Sequence, residues 1–279
     1  MIPSDDLRSE IESYLGFLID HELEDIYETE PLNRTLSENK QAFKRTATAS
    51  AQIHVIPTQP GHSVGHTGSA LKPQSLANMD LGTVLHEARQ RAGSARSLDE
   101  LYAELEAFQH MPIRHEGGKG IVRYRGNPDP DLLVIGEMPD ADEDSALSGF
   151  AGNPGEMMDK ALKAAGVFDK AMLSPCVFWR TAGGRPLTAE DVDLNAPFIH
   201  ALVKLTAPKA ILLLGASAVS CVLNLDQSLA KLRGRIVKYT TETPLPVMAS
   251  YPPNFLLRQP QAKGLFWRDL LQLIVDAKL

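Results

Sequence analysis

Cysteine is scarce: the 279 residues contain two, Cys176 and Cys221. Two thiols cannot build a disulfide framework or fill a four-thiolate metal site. Long apolar runs are missing as well, and none reaches the roughly 18–20 residues needed to cross a bilayer. The first thirty residues are acidic and have no basic n-region, which argues against a secretory leader. A reducing, cytoplasmic setting without membrane association is the expectation. No G-x-G-x-x-G turn follows a strand, and the acids after residue 136 would repel a pyrophosphate, so an enzyme built on a dinucleotide fold is disfavoured. No internal repeat is found. An excess of positive charge is lacking too, since the formal net charge is −7. That acidity is local. Residues 1–40 hold eleven acids and three bases, a sum of −8, so the remaining 239 residues sum to +1 and leave room for a basic face that meets phosphate.

The N-terminal stretch "SDDLRSEIESYLGFLIDHELEDIYE" reads as a helix. Ser4 can cap it, Asp5 and Asp6 suit the positive end of its dipole, and Leu7, Ile11, Leu15 and Leu18 share a face. It is expected either to dock on its own domain or to bind a protein partner. The following Ala, Ser, Thr, Gln, Gly and Pro lack periodicity and bury too little apolar surface to offset their ordering entropy. The expected organisation is an acidic helix over 1–34, a flexible linker over 35–90 and a folded domain over 91–279.

In the folded part, "SLDELYAELEAFQ" predicts a capped amphipathic helix and "DLLVIGE" a buried strand. A helix follows in "GNPGEMMDKALKAAGV", with Pro154 tolerated in its first turn. "AMLSPCVFW" predicts a strand, "TAEDVDLNAPFIHALVKLTAP" a helix capped by Thr188, "KAILLLG" a strand buried on both faces, "ASAVSCVL" a helix, "PVMASYPP" a last strand and "QAKGLFWRDLLQLIVDAKL" a closing helix. This alternation predicts a three-layer α/β/α sandwich around a mostly parallel, four-stranded sheet. Ligands in such sheets bind beyond the carboxyl ends of the strands. The loops after Glu137, Trp179 and Ser250 meet that condition. Why so many acids (Glu137, Asp140, Asp142, Glu143, Asp144) follow a buried strand has two answers: a solvated turn, or a carboxylate that does chemistry.

Five segments taken together, "VIGEMPDADED", "SGFAGNPGEMMDKAL", "KAILLLGASAV", "LRGR" at 232–235 and "YPPNFLLR" at 251–258, resemble the motifs of the uracil-DNA glycosylase superfamily in their order and spacing, specifically its family 4 and 5 type. The resemblance runs from about Ser97 to the C-terminus. It implies hydrolysis of the bond between deoxyribose and uracil, or another deaminated base, after the base has been flipped out of the duplex at a cost of roughly a few kcal/mol. It also implies roles. Phe150, thirteen residues after Glu137, would stack on the base. Glu137 would face the sugar, Glu143 would orient water, and backbone N–H groups at Gly136–Met138 would read the base edge. Arg180, Arg185, Arg233, Arg235 and Arg258, with Pro252 and Asn254, would follow the DNA backbone, and Phe255 or Leu256 would plug the gap left by the base.

The sequence departs from the family's pattern at defined positions. The family's base-reading Asn falls at Pro175, which offers neither amide nor N–H. Its His falls at Tyr251, a neutral donor and therefore a weaker one than a cation. The glycine after the first-motif proline is Asp140. The four cysteines that hold the family 4 iron–sulfur cluster fall at Phe108, Met111, Trp179 and Asn195, so no cluster and no metal is expected, and Phe108, Met111 and Trp179 are expected to pack together in its place. The rival to an enzyme is a catalytically weakened DNA-binding module of the same fold, tethered by its N-terminal helix to a repair or replication partner.

Overall fold

The computed structural model describes residues 80–225, 229–239 and 244–279. The expected helix over 1–34 lies outside them, as does the linker up to residue 79. The remaining part of that linker is corrected: Leu81–Ser94 is a helix (α1), and it buries Val84, Ala88 and Ala92. Those three residues fall at near-helical spacing on one face. The run of polar residues between them disguises the stripe.

A six-stranded sheet forms the middle layer, in the order β1-β3-β2-β4-β6-β5. Its strands are β1 (Arg125–Gly126), β2 (Leu132–Gly136), β3 (Ala171–Pro175), β4 (Ala210–Leu214), β5 (Ile236–Tyr239) and β6 (Leu245–Ser250). The four central strands, β3, β2, β4 and β6, are parallel as expected, and the short β1 and β5 extend the sheet antiparallel at its edges. Side chains alternate across a strand, and both sets here are apolar. Leu133, Ile135, Ile211, Leu213 and Val247 face a core that includes α1, α2 (Leu98–Ala107), α5 (Ala189–Thr206) and α6 (Ala216–Leu223). Leu132, Val134, Leu212, Leu214 and Met248 face the other core, with α4 (Gly152–Ala164) and α9 (Lys263–Ala277). A strand buried on both faces has no polar period, and this is why the central strands read as continuous apolar runs.

Caps fix several helix starts. The Ser97 side chain accepts the N–H of Glu100 to open α2. Thr188 and Asp191 form a reciprocal capping box at the start of α5. A second box, Asp140 with Glu143, opens the short α3 (Ala141–Ala146). Two short helices, α7 (Leu229–Leu232) and α8 (Pro253–Arg258), flank β5 and β6. Among the described residues, no helix is long and apolar enough to cross a membrane.

Candidate active site

Strand register brings the chemistry together. Gly136 pairs with Pro175, and Leu214 pairs with Ser250, so β2, β3, β4 and β6 end along one rim. Glu137 leaves β2 at this rim. Gly215, with φ +99°, follows β4 there, and its backbone N–H donates to the Ser250 carbonyl at 3.1 Å. Tyr251 is the next residue. Proline is tolerated at position 175 because it is the last residue of β3, beyond the reach of β1.

Two glycines are required by close approach. A Cβ on Gly136 would lie 2.7 Å from Cζ of Phe150, so the Phe150 ring lies directly over this glycine. A Cβ on Gly215 would lie 2.4 Å from Cγ and Oε1 of Glu137. The phenylalanine ring, the carboxylate and the turn into Tyr251 are therefore neighbours, linked by glycines that leave them room. Phe150 is 6% exposed, so only a narrow part of its ring is open to a ligand.

The carboxylates differ in their surroundings. Burial pushes the Glu137 carboxyl above its ordinary value, and the positive charge of Arg258 opposes the shift. The Glu143 carboxyl is pushed up to about 7, chiefly by burial. Its two oxygens accept the backbone N–H groups of Asp140 and Phe150. Glu143, expected to orient water, thus also serves the backbone, since a capping acid beside a buried turn is drawn to unpaired N–H groups. Asp140, where the family has glycine, is the cap of α3, and its Oδ1 takes the N–H of Asp142 and Glu143. Much of the acidity in this loop thus belongs to a helix start.

The last loop is stiffened by rings and a buried ion pair. Tyr251 and Phe255 stack with centroids 4.8 Å apart, and the Arg233 guanidinium lies 5.3 Å from the centre of the Tyr251 ring. Arg233 Nη1 donates to both oxygens of Asp269 at 2.9 Å, and Asp269 also accepts the Ser250 hydroxyl at 2.6 Å. Arg185 likewise bonds Glu116 and Asp191, which raise its pKa. These two arginines, expected to meet phosphate, are each paired with carboxylates within the domain and only part-exposed. Arg180 remains partly exposed and Arg235 and Arg258 exposed.

On α8, Leu256 is fully buried and so cannot act as a plug. Asn254, Leu257 and Arg258 form its outer face, with Leu257 39% exposed. The run "FLL" offers three apolar residues, and only the helix phase tells the buried Leu256 from the exposed Leu257. Pro252 accepts the N–H of Phe255 and of Leu256 and so starts this helix. Met138 is half-buried, and its sulfur lies 3.5 Å from the Thr181 hydroxyl.

Phe108, Met111, Trp179 and Asn195 are all buried, and the first three share one core. The Asn195 amide donates to the Met111 sulfur at 3.2 Å and to the Asp191 carbonyl at 2.7 Å, while its own oxygen accepts no hydrogen bond among the described residues. Phe108 packs on Phe198, with centroids 5.8 Å apart, and Arg114 lies over Trp179. Three apolar side chains and a carboxamide do not fit an iron–sulfur cluster, which thiolates hold. Among the described residues, no group of three or more His, Cys, Asp or Glu could hold a metal ion.

A groove of about 560 Å3 runs between α1, α5 and α6 and is lined mainly by small apolar residues with Arg89, His200 and Lys204. It includes none of the rim residues. It lies on a helical face and not at the strand ends, where the charged groups converge.

The family model of the uracil DNA glycosylase superfamily matches residues 124–271. A type-4 uracil-DNA glycosylase of Pyrobaculum aerophilum is 25% identical over 183 residues, covering 62% of this chain and 91% of the relative. One of Archaeoglobus fulgidus is 23% identical over 63% of this chain and 92% of its own length. One of Thermotoga maritima is 26% identical over 52% of this chain and 75% of its own length.

Proposed function

Because the chain belongs to the uracil DNA glycosylase superfamily, we propose that it is a DNA N-glycosylase that flips out uracil, or another deaminated base, and hydrolyses its glycosidic bond. The observation that carries this reading is the neighbourhood of Phe150, Glu137 and Tyr251 at one sheet rim, joined through Gly136 and Gly215. In this reading the flipped base stacks on Phe150 and is read by backbone N–H groups near Gly136 and Met138. The C1′–N bond breaks with its electron pair leaving on the base. Glu137, ionised, lies beneath the sugar and stabilises the cation that develops there until water adds to C1′. The adding water gives up one proton, which neutralises the anion of the departed base, so that the products are the C1′ alcohol and the free base. Tyr251 donates its phenolic hydrogen to the oxygen of the departing base.

DNA contacts fall to Arg180, Arg235 and Arg258, with Pro252 and Asn254 shaping the loop, and Leu257 on the outer face of α8 fills the gap left by the base. We propose that no cofactor takes part, supported by the donor set at Phe108, Met111, Trp179 and Asn195. A protein partner for residues 1–34 and a cytoplasmic setting remain proposals from the sequence.

Two observations favour a second reading, a DNA-binding module with weakened catalysis: Pro175 removes a base reader, and the platform at Phe150 is nearly covered. Release of free uracil from single- and double-stranded oligonucleotides separates the two. Release that disappears in Glu137→Ala supports the enzyme. Retained DNA binding without release of uracil, hypoxanthine or other deaminated bases supports the module.

A further inference from the structure

Phe150 adopts a backbone conformation that an aromatic residue rarely takes, φ +55°. Something must hold it there, and the contacts converge on Glu143. The Glu143 carbonyl accepts the N–H of Ser148, and its side chain accepts the N–H of Phe150 on one oxygen and of Asp140 on the other, the latter at 2.9 Å. One residue thus ties both ends of the turn that presents the ring to Gly136.

We propose that Glu143 is a positioning residue: its ionised carboxylate fixes the Phe150 backbone and thereby sets the base-stacking platform, which loosens when that carboxylate takes up a proton. This inference rests on the stacking role given to Phe150 above and adds a control on it. A carboxylate offers acceptors to both N–H groups. A carboxylic acid turns one oxygen into a donor and a poor acceptor, so one of the two buried N–H groups loses its partner. The charged groups that face Glu143 are Asp140 within its own capping box and Arg125 from β1. The backbone N–H groups of Asp140 and Phe150 favour the ionised form, the Asp140 carboxylate disfavours it, and Arg125 favours it. Arg125 is itself held by Asp159 at 2.7 Å and by the Gly149 carbonyl at 3.0 Å, so its charge is shared with α4 and with the same turn. Burial, the largest influence, brings the Glu143 carboxyl to about 7, so the change of state falls near neutral pH.

The first test needs neither a variant nor activity. In the 15N-labelled full chain, the Phe150 amide is followed from about pH 5 to about pH 9, a span that brackets an ordinary and a raised carboxyl. It should titrate with a midpoint near 7, keep doing so in Glu137→Gln, and stop in Glu143→Gln. A Phe150 amide that stays flat in the unmodified protein, or titrates unchanged in Glu143→Gln, overturns the proposal. The second test is a double-mutant cycle on uracil release. Glu143→Gln should lower excision by about 10-fold alone and by less than about 2-fold in a Phe150→Ala background, because the two side chains act as one unit. Equal penalties in both backgrounds would mean that Glu143 acts independently of the ring, and the proposal fails. If the unmodified protein releases no base at all, the glycosylase reading fails, yet the amide titration still decides the role of Glu143.

Discussion

Gly215 shows how one missing atom shapes the site. It has φ +99°, and a methyl group there would overlap the Glu137 carboxylate. Gly215→Ala should therefore displace Glu137 from the sugar and lower single-turnover uracil release by about 100-fold, the scale of an ångström-sized misplacement, with DNA binding by fluorescence anisotropy unchanged. Tyr251 makes the opposite case. In the proposed role of Tyr251 a neutral phenol does what a cationic donor would do better, so Tyr251→His should raise excision, by about 10-fold or more, with the gain fading as pH rises and the imidazole loses its proton. A Tyr251→His protein no faster than the parent would mean that this residue does not face the departing base. Glu137 was legible as a carboxylate at a strand end. Glu143 was legible only as another acid, because nothing in "DADED" tells a side chain aimed at solvent from one aimed at the backbone of Phe150.

At the scale of elements, caps and phase carry the prediction. Thr188 closes a capping box with Asp191, which also pairs with Arg185 at 2.7 Å. Thr188→Ala should cost about 1 kcal/mol of stability in urea unfolding, as other capping losses do, without altering binding of DNA. The central strands and most long helices were readable from composition because each buries a continuous apolar surface. The helix α1 was not, since its three buried residues are small or β-branched and lie among polar neighbours. Its consequence is practical. Removing residues 1–90 takes away most of the turns that bury Val84 and Ala88, and should destabilise the domain by about 1.5 kcal/mol or more, the scale of one buried Val side chain. A thermal melt unchanged by that truncation would contradict the place of α1 in the core.

For the molecule as a whole, pH sets two opposed trends. The Glu143 carboxyl is near 7 in the folded protein and near 4.5 when free, so between these values the folded state holds the proton more tightly. Its contribution to stability is full below the lower value, falls as pH rises through the window, and is lost above the upper one. If Glu143 holds the platform as proposed, uracil release should rise across the same window, together with the ionisation of Glu137, which burial also delays. The stability of the unmodified protein relative to Glu143→Gln should therefore decline from about pH 4.5 to about 7 in denaturant titrations, while its relative activity climbs. A constant difference in stability across that range would mean that Glu143 titrates normally. The sequence by itself determined the layers, the strand order of chemistry along the chain and the residue types at the rim, because apolar periodicity and turn residues are local properties. Only the tertiary structure decided which charges remain available. Arg185 and Arg233 meet buried carboxylates, Leu257 faces outward while Leu256 turns in, and Glu143 reaches the backbone of Phe150; each outcome depends on partners that the fold brings together from positions apart in the chain or that helix phase selects.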